Sequence, residues 1–140
     1  MASELSVQMI SREQAWNIVR AAEEEAQRIG QPMNVAVVDA GRELKAFSRM
    51  DDAWLGSIDI SINKAYTAAS FKMSTQDLAQ EAQPNGGSLY GIHVTNDSRI
   101  VIFAGGIPLQ SGSEIVGSIG VSGGTVDQDQ QVAEAGIKAL

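Results

Sequence analysis

The sequence predicts an α/β (α+β) domain, a five-stranded antiparallel sheet flanked by helices in the order α-β-β-α-α-β-β-β-α. Three observations carry this. Segments with helical apolar spacing open and close the chain, each behind a polar capping residue, Ser11 and Thr125. Short apolar runs bounded by turn residues lie between them. The links between those runs are of hairpin length, too short for parallel crossovers, so neighbouring strands must pair antiparallel. The 140 residues contain no internal repeat, linker or low-complexity segment, and 1-140 reads as a single domain.

The first helix starts near Ser11, where Ser11-Arg12-Glu13-Gln14 fits a capping box. Ala15, Ile18, Val19, Ala22, Ala26 and Ile29 follow at helical spacing, and Gly30 and Pro32 end the helix. Val35 to Val38 is a short buried strand, Asp39 to Arg42 a turn, and Glu43 to Met50 the returning strand of a hairpin. A second helix spans about Ser57 to Phe71. Ile58, Ile62, Ala65 and Ala69 form one stripe of it, and Ile60, Lys64, Thr67 and Phe71 a neighbouring one. Ser74 or Thr75 caps a short helix through about Glu81. Three further strands are expected at Leu89 to Thr95, Arg99 to Ala104 and Ile115 to Val121. Asn96-Asp97-Ser98 would be the tight turn between the first two, and Gly105 to Glu114 a longer connection. A second capping box, Thr125 to Gln128, opens a terminal helix with Val126, Ala133, Ile137 and Leu140 on its apolar face.

Composition removes several function classes. A net charge of −7 and a pI near 4.5 argue against a nucleic-acid binder, although one local basic pocket stays compatible. The absence of cysteine excludes disulfides, thiolate metal sites and Cys nucleophiles. With His93 as the sole histidine, a two-His metal site could form only between subunits, and no metal ligand set is expected. No signal peptide is seen, and no apolar run approaches the roughly 20 residues that span a bilayer, so no membrane partner is expected and cytoplasmic residence is the simplest expectation.

The stretches MNVAVVDAGRELKAFSRMDDAWLGSIDISINKAYTAA, LYGI, IFAGGIPL and IVGSIGVSGG together closely resemble the GlcG/HbpS-like family, over about residues 8–140. The resemblance implies a profilin-like domain that assembles into a homo-oligomer, often an octamer; members of the family have been linked to haem or corrinoid binding, and many have no established activity. The same domain forms the C-terminal part of PduO-type cobalamin adenosyltransferases. This chain departs from the PduO-type pattern in lacking its cysteine and its N-terminal histidine, and Ser48 or Met50 would be weak substitutes as ligands. It also carries Arg42 where the family pattern often has glycine, which adds a cation at that turn.

Three residues are candidate proton carriers. Lys64, between apolar neighbours, could have its pKa lowered by desolvation and act as a base or amine nucleophile, or hold an anion; alternatively it snorkels or pairs with Asp59 or Asp39. His93, in an alternating strand, could ligate haem or a metal or serve as a general base; alternatively it is a surface or interface residue. Asp39 could act as a base or orient Lys64; alternatively it supplies ordinary turn chemistry before Ala40-Gly41. The ligand-binding candidates are Lys64 again, Arg49, and the loop containing Gly105, Gly106 and Pro108. Arg49 can grip a carboxylate bidentately or pair with Asp51 or Asp52, and the loop amides can face an anion. Gly117 to Gly124 is no dinucleotide motif, because it reads as a strand interior. Its glycines would admit a helix, a subunit or a flat ligand.

The leading expectation is a homo-oligomeric small-molecule-binding protein of a catabolic pathway, taking haem, a corrinoid or a small carboxylate in a cleft between Lys64, His93 and the Gly105–Pro108 loop. The cofactor stays open on the residues alone. Two alternatives remain: a cofactor-independent acid–base enzyme (lyase, isomerase or hydratase), and a structural or regulatory partner protein.

Overall fold

A computed structural model describes residues 8–140. Helix α1 (Arg12–Ile29) leads into strands β1 (Asn34–Asp39) and β2 (Leu44–Arg49); α2 (Gly56–Phe71) and α3 (Thr75–Glu81) follow. After an irregular stretch come β3 (Gly106–Ser111), β4 (Glu114–Ser122) and α4 (Val126–Ile137). The sheet is four-stranded, in the order β2-β1-β4-β3, and every pairing is antiparallel.

The helix starts follow from the sequence. Ser11 accepts from the Gln14 amide while the Gln14 side chain accepts from the Ser11 amide, and Thr125 and Gln128 repeat this at α4. Gly30 closes α1 in the left-handed region, φ 73°, where a Cβ would be penalised.

Helices α1 and α4 cover one face of the sheet and α2 covers the other. On the first face Val35, Val37, Ile119 and Val121 pack against Ile18, Val19, Ala22, Val132 and Ala133. Strand alternation then turns Ala36 and Val38 toward α2, where they meet Ala65 and Ala69. Helix α2 presses unusually close to β4. A methyl at Gly120 would stand 2.0 Å from the Ser61 carbonyl oxygen, and overpacking of this kind costs about 1–3 kcal/mol. The Ser118 hydroxyl donates to the Ala65 carbonyl from the same strand face. The glycines of β4 therefore make room for a helix backbone. The helix accordingly buries its small and polar side, including Ser57, Ser61, Lys64 and Ala68, and leaves Ile58, Ile60 and Ile62 only half-buried.

The expected strand count is corrected from five to four. Leu89 to Thr95 and Arg99 to Ala104 form no strands, while the expected connection Gly105–Glu114 contains β3. Glycine at φ 100° turns the chain at Gly91, and Ile92–Val94 closes a single 3-10 turn. Asn96, Asp97 and Ser98 then run left-handed in succession, at φ 53°, 56° and 60°, which no extended ladder accommodates. Beyond them the Val101 amide donates to the Thr67 hydroxyl instead of to a strand. The Gly106–Ser111 run pairs with β4 as an edge strand, where Pro108 is tolerated. Among the described residues no helix is long and apolar enough to cross a membrane.

Candidate functional site

Lys64 occupies the centre of α2, pointed at the sheet, and its side chain is 0% exposed. Its ammonium donates to the Val121 carbonyl at 2.8 Å and to Asp129 Oδ2 at 2.8 Å, and lies 5.0 Å from the Phe103 ring centroid. The second Asp129 oxygen accepts from the Gly124 amide at 2.9 Å. This pair ties α2, the end of β4 and the first turns of α4 into one cluster. Burial pushes the Lys64 amine below its usual range, with Asp129 opposing the shift. Burial likewise pushes the Asp129 carboxyl up, against the pull of Lys64 and the Gly124 and Gly123 amides.

Gly105 and Gly106 pack directly on Lys64. A Cβ on Gly105 would stand 2.7 Å from its Nζ, and one on Gly106 would stand 2.5 Å from its carbonyl oxygen. The expected meeting of Lys64 with this glycine pair therefore occurs, but as packing in the interior. Both amides are already bonded: Gly105 donates to Gln130 Oε1 at 3.2 Å and Gly106 to Thr75 Oγ1 at 2.9 Å. This corrects the open cleft expected there, because neither the ammonium nor these amides face solvent.

The other candidates stand apart. Asp39 ends β1 and accepts from the Gly41 and Glu43 amides at 2.8 and 3.1 Å, a turn-stabilising role. It forms no ion pair with Lys64; nor does Asp59, whose carboxylate instead accepts from Asn63. Arg49 ends β2, is exposed, and has no ion pair with Asp51 or Asp52. Pro108 lies half-buried in β3 beside Lys72 and Ser74 at the rim of a shallow depression.

His93 sits in the 3-10 turn rather than in a strand, so its expected alternation with Ile92 and Val94 does not hold. The ring is half-buried and tilted against Tyr90, with centroids 5.9 Å apart. Its Nδ1 is buried and has no hydrogen-bond partner, an exception to the usual pairing of buried polar atoms. Leu89, Tyr90 and Val94 around it expose apolar surface.

The sequence reading missed Asp129. Its signal was position: it lies one turn before Ala133 on the inward stripe of α4, where an acid demands a partner. Among the described residues no group of three or more His, Cys, Asp or Glu side chains could hold a metal ion.

Comparison with known proteins agrees on one family. Residues 10–138 match the model of the haem degrading protein HbpS-like family. An uncharacterized 15.0 kDa protein from the dhaT–dhaS intergenic region of Citrobacter freundii is 45% identical over 123 residues, covering 88% of this chain and 86% of that protein. The corrinoid adenosyltransferase PduO of Salmonella typhimurium is 37% identical over 88% of this chain, which spans only 36% of PduO. Among solved structures, Klebsiella pneumoniae ORFY superposes with a TM-score of 0.92 at 41% identity, covering 96% of this chain and 92% of that one. A PduOC:heme complex superposes with a TM-score of 0.90 at 36% identity, covering 94% and 95%.

Proposed function

The chain belongs to the HbpS-like family, and from that premise we propose that it is a homo-oligomeric protein of a catabolic pathway that binds a flat tetrapyrrole, haem or a corrinoid, which His93 would hold through its imidazole. The observation that carries this is the half-buried His93 ring, which makes no hydrogen bond among the described residues: Nδ1 is turned inside without a partner, Nε2 is left as the nitrogen able to ligate, and Tyr90 and Val94 next to it expose apolar surface. An unengaged imidazole edged by exposed apolar side chains fits the donor and the face that such a macrocycle requires. With no cysteine and one histidine in the chain, a single protomer offers one imidazole ligand and no thiolate. Bound haem would supply a redox-active iron; the chain's residues would ligate it and shield one face from water. The solved PduOC:heme complex of a relative supports the ligand class.

Of the three proton carriers, Lys64 is sealed inside and Asp39 is occupied by its turn, so the acid–base reading retains His93 alone, without a partner to orient it.

The test is a spectroscopic titration of the purified chain with haemin, and separately with a cobalamin. The expected result is a shifted Soret band with haemin that is lost in His93→Ala, with affinity falling by at least about tenfold. An unchanged Soret response in His93→Ala removes His93 as ligand. No spectral change with either tetrapyrrole overturns the reading.

A further inference from the structure

The turn between β1 and β2 and the irregular segment before β3 bring two arginines onto one aromatic ring. The Arg42 guanidinium carbon lies 4.8 Å from the Tyr66 ring centroid, and that of Arg99 lies 3.7 Å from the same centroid. Arg42 Nη1 also donates to the Tyr66 hydroxyl at 3.2 Å and to Ser70 Oγ at 3.4 Å. Arg99 Nε donates to Asn63 Oδ1 at 2.9 Å, and Asn63 is itself anchored by donating to Asp59 at 3.0 Å. The ring and the Asn63–Asp59 link hold both guanidiniums in place.

Neither arginine forms an ion pair within the described residues, although acids outnumber bases 17 to 10 in this chain. Two fixed cations beside each other repel unless an anion lies between them. Arg42 also holds a left-handed backbone, φ 71°, which disfavours any residue with a Cβ and favours glycine. Most of the ten guanidinium N–H donors stay free, because only Arg42 Nη1 and Arg99 Nε are engaged. They line a cavity of about 340 Å³ whose remaining wall is Val38, Leu44 and Ile62 together with Gly41 and Glu43, the latter forming no ion pair with either arginine. A planar fork of donors matches the paired oxygens of a carboxylate or phosphate, and the apolar wall accommodates a short carbon body.

We propose that Arg42, Tyr66 and Arg99 form a binding site for the oxyanion, carboxylate or phosphate, of a small organic molecule. The site shares no residue with the His93 region and does not rest on the tetrapyrrole reading.

The experiment is calorimetric titration of the full chain at low salt, with inorganic phosphate in one arm and succinate in the other. Saturable binding of at least one anion is expected, weakened roughly tenfold or more in both Arg42→Gly and Arg99→Gln. Arg42→Gly places at that turn the residue its backbone conformation favours, so it removes the charge without endangering the fold. It serves alone if circular dichroism shows Arg99→Gln unfolded. Binding of phosphate alone identifies a phosphate ester as the ligand type, and binding of succinate alone a carboxylic acid. Absence of saturable heat with both anions, or unchanged affinity in a folded variant, overturns the proposal.

Discussion

Lys64 shows how one residue type supports two opposite readings. A lysine among apolar neighbours suggests a tuned amine, and its pKa is indeed pushed down. The same burial closes it to any substrate, and its proton faces Asp129 and a main-chain carbonyl. Buried ion pairs recover their desolvation cost only through close mutual contact, so breaking one partner costs far more than replacing both. Lys64→Met is therefore expected to cost about 3–5 kcal/mol by leaving a buried carboxylate unpaired. Adding Asp129→Asn, which retains an acceptor for the Gly124 amide, should recover most of that loss. A double-mutant cycle by urea denaturation measures this, and purely additive effects would rule out the coupling. The lysine itself was legible in the sequence as a residue under constraint. Its partner was not, because Asp129 lies 65 positions away and no local pattern links a helix centre to a distant helix start.

At the scale of elements, legibility followed the range of the forces involved. Both capping boxes and the stop at Gly30 are local hydrogen-bonding problems, and they stand where the sequence places them. The region from Leu89 to Ala104 has strand-like composition, but its hydrogen bonds go to its own turns, to Glu81 at the end of α3 and to Asn63 and Thr67 on α2. Tertiary demand overrode β propensity there, and the ladder moved to Gly106–Ser111. A comparable long-range tie joins α1 to α4. Glu25 accepts from Arg28 at 2.8 and 2.6 Å and from Gln131 at 2.7 Å. Those hydrogen bonds, Arg28 foremost, lower its pKa from 4.5 to about 2. A depressed carboxylate favours the folded state while ionised. That contribution is complete above pH 4.5 and disappears as the pH falls toward 2. Glu25→Gln should therefore flatten the acid limb of the stability curve, measured as urea midpoints between about pH 5 and about pH 3. Parallel limbs for wild type and variant would contradict this assignment.

The whole molecule carries a surface that its own core leaves uncovered. Because β4 presents Gly120 and Ser118 to α2, the helix turns its small side inward and leaves Ile58 and Ile60 half-exposed. Ile58 lies one turn on from Leu55, at the start of this helix; Leu55 is 71% exposed, and Trp54 beside it is 65% exposed. Large apolar groups clustered outward on one helix are the material of a protein–protein interface, and closed symmetric assembly is the common way for one chain to cover such a face. The close fit of α2 on the sheet and the proposed assembly thus have one cause, the small residues of β4. Leu55→Asp should lower the mass seen by light scattering while leaving the far-ultraviolet circular dichroism of the fold intact, since Leu55 touches solvent in the single chain. A wild-type chain that already scatters as a monomer at micromolar concentration, or an unchanged assembly in Leu55→Asp, would remove this face from the interface.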